Sequence, residues 1–166
     1  MEYVKVLSLR VKSFEVWREQ VRQLLSKEVT PDKVRWSEGG QLPLLEDWQS
    51  LPLTIHSPKV EIPAEFFELA QVVACHKNPN RWNVLYAILW RLQHGQRNLL
   101  KSENDDQVLA ALIMRNQVRN DFRKMKDFLR FKQHTNQGQE YGLAWYEPEY
   151  FVLKEAAEYF SKQVAS

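Results

Sequence analysis

Cysteine is nearly absent from this 166-residue chain: Cys75 stands alone, so no internal disulfide can staple the fold. No apolar run approaches the roughly 20 residues that a membrane helix needs, and a soluble protein is expected. The N-terminus, Met1 to Leu7, has no basic start, no long apolar stretch and no small-residue cleavage site, so a reducing cytoplasm fits best. Charge of one sign is also missing from the whole, with 23 basic against 21 acidic residues and a net charge of +2. A polyanion partner is therefore not announced by bulk electrostatics, and any such argument must rest on how charge is distributed. There is no internal repeat and no low-complexity tract. His56, His76, His94 and His134 lack ligand-like spacing and no cysteine cluster joins them, so neither a structural zinc nor a cofactor is expected.

What is present is ordinary globular material, 44% hydrophobic and 27% charged, long enough for one domain with a real core across residues 1–166. Six tryptophans are many, and most are expected to anchor that core. Apolar residues from Tyr3 to Leu9 predict a short strand. Ser13 then caps a helix over about 14–27, and Lys33 to Trp36 makes a second strand, giving a β-α-β order. From Ser37 to Ile62, Gly39-Gly40, Pro43, Pro52 and Pro58 interrupt any period and predict a long loop pinned by Trp48 and Leu53. Pro63 opens a helix to about His76, Trp82 to Leu92 mark another over 81–93, and Asn104-Asp105-Asp106 starts a third that runs to about Lys126. From Phe128 the period changes from helical to two, and Asn136-Gln137-Gly138 predicts a hairpin turn leading into Tyr141 to Tyr146. A last helix follows over 151–164. The fold class is α+β, with about five helices packed on a small, partly antiparallel sheet that includes the C-terminal hairpin.

The most informative pattern lies on the helix over 105–126. Ala111, Met114, Val118, Phe122 and Met125 mark a buried stripe. Arg115, Arg119, Arg123 and Lys126 repeat the same spacing one residue later, which sets a cationic ridge about 100° round from the core face, and Arg130 continues it. With Lys124 and Lys132, residues 115–132 hold seven basic and two acidic side chains, a net of +5, which leaves 16 basic against 19 acidic elsewhere. Cations one turn apart can meet successive phosphates, and counterion release drives such binding without base readout. The competing reading is a solvated face on which Asp121 and Asp127 pair with some of the arginines.

Several segments resemble, in order, the accessory domain of unknown function that precedes a uracil-DNA glycosylase-like domain in bacterial DNA-repair proteins. They are Arg18 to Leu25, Pro31 to Trp36, Ala74 to Trp82, Leu85-Tyr86, Leu89 to Arg91, Val118 to Phe131 and Ala144 to Glu149. The resemblance covers most of the chain outside the loop at 37–62. It implies an accessory module of a repair enzyme, and together with the charge pattern it gives a noncatalytic module that helps the enzyme engage DNA, with Arg115, Arg119, Arg123, Lys124, Lys126, Arg130, Lys132 and Trp145 as the expected contact residues. It also implies a partner glycosylase-like domain, in cis or in trans. The family pattern favours a basic residue at Asn120, histidines at Arg123 and Tyr150, and a small residue at Asp127, so any chemistry those histidines perform in relatives is missing here. Relatives continue into a further strand and the glycosylase-like domain. The chain thus reads as stopping short of both, and its unpaired sheet edge predicts self-association. His56-Ser57-Pro58 has the residues of a glycosylase His-Pro-Ser loop in another order and reads as a turn.

Two rivals stand beside this reading. One is a protein-interaction module that docks onto the glycosylase-like domain; the other is a nucleic-acid-modifying enzyme that uses Glu147, Glu149 and Arg123. Catalysis by this chain alone is not expected. Cys75 and His76 are sequence neighbours whose side chains diverge by about 100° on a helix, too far to form a nucleophile-base pair, and a core cysteine is the simpler role. Glu147 and Glu149 flank Pro148, where they suit the positive end of the last helix. Trp145 either stacks on an unpaired base or, as is commoner for tryptophan, packs in the core.

Overall fold

The computed structural model describes residues 7–38, 60–102 and 104–164. Strand β1 (Leu7–Arg10) leads into helix α1 (Phe14–Ser26), a single 3-10 turn (Pro31–Lys33) and strand β2 (Val34–Ser37). The Ser13 hydroxyl accepts the amide of Val16 and caps α1, as its position predicts. β1 and β2 pair in parallel, Leu7 opposite Val34 and Leu9 opposite Trp36, so α1 is the crossover of a β-α-β unit. Residues 3–6 of the expected first strand, and nearly all of the expected loop with Trp48, Leu53 and His56-Ser57-Pro58, lie outside the described residues.

Three helices build the main layer: α2 (Ala64–Ala74), α3 (Arg81–Gln93) and α4 (Asp106–Phe128). α3 is central, and its Trp82, Val84, Leu85, Tyr86, Ile88, Leu89 and Leu92 are all buried. They meet Trp17, Val21 and Leu24 of α1, Phe66, Leu69 and Val73 of α2, and Val108, Ala111 and Met114 of α4 in one continuous core. Tryptophans organise it, with the Trp17 ring 5.7 Å from Trp82 and 6.2 Å from Trp36, distances typical of tilted aromatic pairs. The Tyr86 hydroxyl donates to the Val29 carbonyl and ties α3 to the end of α1. A second, smaller cluster of Cys75, Val118, Tyr150 and Val152 seats helix α5 (Leu153–Val164). α5 starts two residues later than expected because Phe151 and Val152 form a tight turn, in which the Phe151 amide donates to the Cys75 carbonyl at 2.8 Å.

The C-terminal sheet departs from expectation in two ways. α4 continues through Phe128, where a strand was expected to begin. Its burial period runs on through Val118, Asp121 and Met125, and the Leu129 amide still bonds to the Met125 carbonyl. Strand β3 (Lys132–Asn136) therefore starts late, and β4 (Gln139–Leu143) ends before Trp145. Among the described residues the hairpin also does not join β1 and β2, and the strands form two separate two-stranded sheets. The strands Lys-Gln-His-Thr-Asn and Gln-Glu-Tyr-Gly-Leu are exposed throughout and offer no apolar face to the core, so nothing draws the hairpin onto the first sheet. Its turn has positive φ at both Gln137 (52°) and Gly138 (78°), the backbone of a type I′ turn that matches strand twist.

Candidate nucleic-acid interface

α4 is fixed at its start by Asp105, whose carboxylate accepts the amides of Gln107 and Val108 at 3.1 Å each and the Arg91 guanidinium at 2.6 Å. The Arg91 bond is the main reason the Asp105 carboxyl lies below its usual range. With Val108, Ala111, Met114, Val118, Asp121 and Met125 buried, the helix cannot rotate on its bed, and its basic residues are held on a defined face. Phe122, expected in the buried stripe, is half-buried at its edge, where its ring meets Tyr159 of α5.

The eight predicted contact residues are placed unequally. Arg119, Arg123, Lys124, Arg130 and Lys132 are exposed; Arg115 and Lys126 are half-buried. Among the described residues none of these seven cations forms an ion pair, although Lys124 is close enough to Glu149 to help lower its pKa. At the N-terminal end Arg115 and Arg119 share a crevice with Glu65 and Glu68 of α2, so acidic neighbours weaken the ridge there. At the other end Arg130 folds back, its Nη1 donating to the carbonyls of Asp127 (2.8 Å) and Leu129 (3.0 Å), and so caps α4. Lys126 places its ammonium 5.2 Å from the Phe122 ring centre and 5.1 Å from that of Tyr159, sheltering its stem against α5. The open centre of the surface is Arg123 and Lys124, with Arg119 on one side and Lys132 on the other.

The sequence left alternatives open at two residues. Asp121, which could have paired with the arginines, is 7% exposed and accepts the Tyr150 backbone amide at 3.0 Å. The arginines are thereby left without it. Trp145 is 89% exposed rather than packed in the core.

The other sequence candidates are occupied structurally. Cys75 is buried with its thiol toward the Gln71 carbonyl and the Glu155 carboxylate, and burial, reinforced by Glu155, pushes its pKa up to about 12. A thiol so disposed is a poor nucleophile. His76 is turned elsewhere. Its Nδ1 accepts the Asn78 amide at 3.0 Å, which leaves Nε2 to donate to Gln117 Oε1 at 2.9 Å, and its ring stacks on Tyr150. Desolvation lowers its pKa. Glu149 is held 2.7 Å from Lys77 rather than at the end of α5. Among the described residues no group of three or more His, Cys, Asp and Glu side chains could hold a metal ion, and no helix is long and apolar enough to cross a membrane.

One buried cluster escaped the sequence reading. Arg81, 2% exposed, forks onto the Glu38 carboxylate, which also accepts Trp82 Nε1 at 2.9 Å; Arg81 further donates to the carbonyls of Ala74 and Asn78. An arginine opening an apolar helix was the available signal, but its partner lies 43 residues away.

Fold and surface together define a small α+β domain whose basic edge runs along one long helix into a hairpin. The chain belongs to the family described as Domain of unknown function (DUF4130), which matches residues 79–166. That span takes in α3, α4, the hairpin and α5, hence every residue of the basic edge and Trp145. No curated protein and no solved structure matches the chain.

Proposed function

We propose that this domain is a noncatalytic accessory module of a DNA-repair protein of the uracil-DNA glycosylase-like kind, and that it binds nucleic acid through the edge from Arg115 to Lys132. The observation that carries the reading is the concentration of cations there with no carboxylate salt-bridged to any of them among the described residues. A merely solvated, stability-neutral face would pair Asp121 with its arginine neighbours; instead Asp121 is committed to the Tyr150 amide. Arg123 and Lys124 are the principal phosphate contacts, Arg119 and Lys132 extend them, and Arg130 contributes less because its guanidinium also holds the helix end. Each phosphate neutralised contributes about 0.9 (duplex) or 0.7 (single strand) to the slope of log affinity against log salt. A titration of the protein with labelled DNA at several salt concentrations tests this. A steep negative slope is expected, and no binding even at low salt would sink the reading.

A second reading, a surface that docks the glycosylase-like domain, is favoured by exposed Leu109, Ile113, Phe151 and Leu153. These lie off the basic edge, so the two surfaces can coexist on one module. Co-purification with a separately expressed glycosylase-like domain, lost on Ile113→Asp, checks it.

A further inference from the structure

The hairpin carries a face that the phosphate-binding edge alone does not use. Register places Lys132 opposite Leu143 and His134 opposite Tyr141, and directly opposed residues share one side of an antiparallel pair. Gln133 opposite Gly142 and Thr135 opposite Glu140 occupy the other side. The second side faces α5: the Phe131 ring lies over Gly142, where an added Cβ would meet it at 3.3 Å, and meets the Phe160 ring edge-on at 5.5 Å. The side with Lys132, His134, Tyr141 and Leu143 is therefore turned away from the body. Two residues past Leu143, just beyond the end of β4, stands Trp145. Its neighbour Tyr146 is half-buried, and the indole is 89% exposed, with almost no cover.

This outer face holds aromatic and apolar side chains (Tyr141, Leu143, Trp145) beside cationic or neutral ones and no carboxylate, since the hairpin's one acid, Glu140, sits on the opposite side. Phosphates are met by the lysines and bases by the rings, and a base offers its face only when unpaired. In a duplex both faces are covered by neighbouring pairs, and a projecting indole gains nothing there.

We propose that the outer hairpin face, with Trp145 as its principal platform, stacks unpaired bases, so that the nucleic acid held along the Arg119 to Lys132 edge is single-stranded. The inference rests on the nucleic-acid reading above and adds strand selectivity to it. Stacking of this kind tolerates any base and is lost when the ring is removed.

The test is an anisotropy titration of the intact chain against labelled oligothymidylate and oligouridylate of about 12 nucleotides and a duplex of the same length, a span typical of such sites. Wild-type protein is expected to prefer a single strand. Trp145→Ala should weaken single-strand binding roughly 5- to 100-fold while leaving the salt slope, the duplex affinity and the melting temperature unchanged, and Trp145→Phe should keep most of the affinity. Preference for either single strand over the duplex supports the inference. Duplex preference by the wild type, or single-strand affinity unchanged in Trp145→Ala, overturns it and leaves the phosphate edge standing. A Trp145→Ala effect confined to sedimentation would make the face a contact between copies and would likewise overturn it. Absence of all nucleic-acid binding removes both this inference and the reading beneath it.

Discussion

Asp121 and Tyr150 are 29 residues apart in sequence and 3.0 Å apart in the fold, the backbone amide of Tyr150 donating to the Asp121 carboxylate. The bond fastens the segment between hairpin and α5 to the middle of α4, and so sets where Trp145 and the hairpin leave the body. Asp121→Ala strands a buried amide and should cost about 1–3 kcal/mol. Asp121→Asn, which keeps an acceptor, should cost less. Chemical denaturation gives the magnitudes, and limited proteolysis should show earlier cleavage around residues 144–152 in the alanine variant. Equal stability for wild type and Asp121→Ala would mean that the bond holds nothing.

Arg119→Glu combined with Arg123→Glu should abolish nucleic-acid binding with stability almost unchanged, because both side chains are exposed and surface substitutions usually stay within about 0.5 kcal/mol. A single Arg123→Ala should lower the salt slope by about 0.7–0.9. Glu65→Gln with Glu68→Gln should strengthen binding modestly, by about 1 kcal/mol or less, since those carboxylates line the crevice with Arg115 and Arg119. Melting that falls before affinity does would reassign the arginines to structure.

His94 on α3 reaches back to Glu28, with Nε2 2.9 Å from the carboxylate and Nδ1 2.7 Å from the Trp90 carbonyl. Both contacts favour the imidazolium, Glu28 most, and raise the histidine pKa. A folded-state pKa above the unfolded one gives stability that is fully present below the ordinary histidine value, about 6.5, and is lost as pH rises through the raised value. His94→Gln should therefore lower the melting temperature at about pH 5 and scarcely change it at about pH 8. The pair is exposed, so the effect is small; a difference that grows with pH would contradict the assignment.

Gln137 sits at φ 52° in the hairpin turn, a conformation that Asn adopts more readily. Gln137→Asn creates an Asn-Gly turn and should stabilise the hairpin by about 0.5 kcal/mol, whereas Gly138→Ala, at φ 78°, should cost about 1 kcal/mol. Because the hairpin touches the body mainly at Phe131 and Phe160, these changes belong in amide exchange of residues 132–143 and should hardly move global unfolding.

The helices were legible because each carries a local signature: Ser13 at a cap, the stripe from Trp82 to Leu92, the acids that open α4. The parallel pairing of β1 with β2 follows from β-α-β order. Relationships between distant residues were not legible. Asp121 looks like a surface acid among arginines and is recognised as buried only when Tyr146 and Tyr150 arrive from beyond the hairpin. The Arg81 fork onto Glu38 was invisible for the same reason. The hairpin's detachment was readable in part, since β3, Lys-Gln-His-Thr-Asn, has no apolar side chain to bury. Trp145 could be read from sequence either as a base contact or as a core residue, and it is its 89% exposure that separates the two.

The core is closed by α1, α2, α3 and the first half of α4, whereas the cations and the bare rings stand on the second half of α4 and on strands that contribute no buried side chain. Folding and recognition thus draw on separate sets of residues. Substitutions along the hairpin can accumulate without bringing the protein near its stability threshold, and what the surface binds can drift faster than the scaffold that presents it.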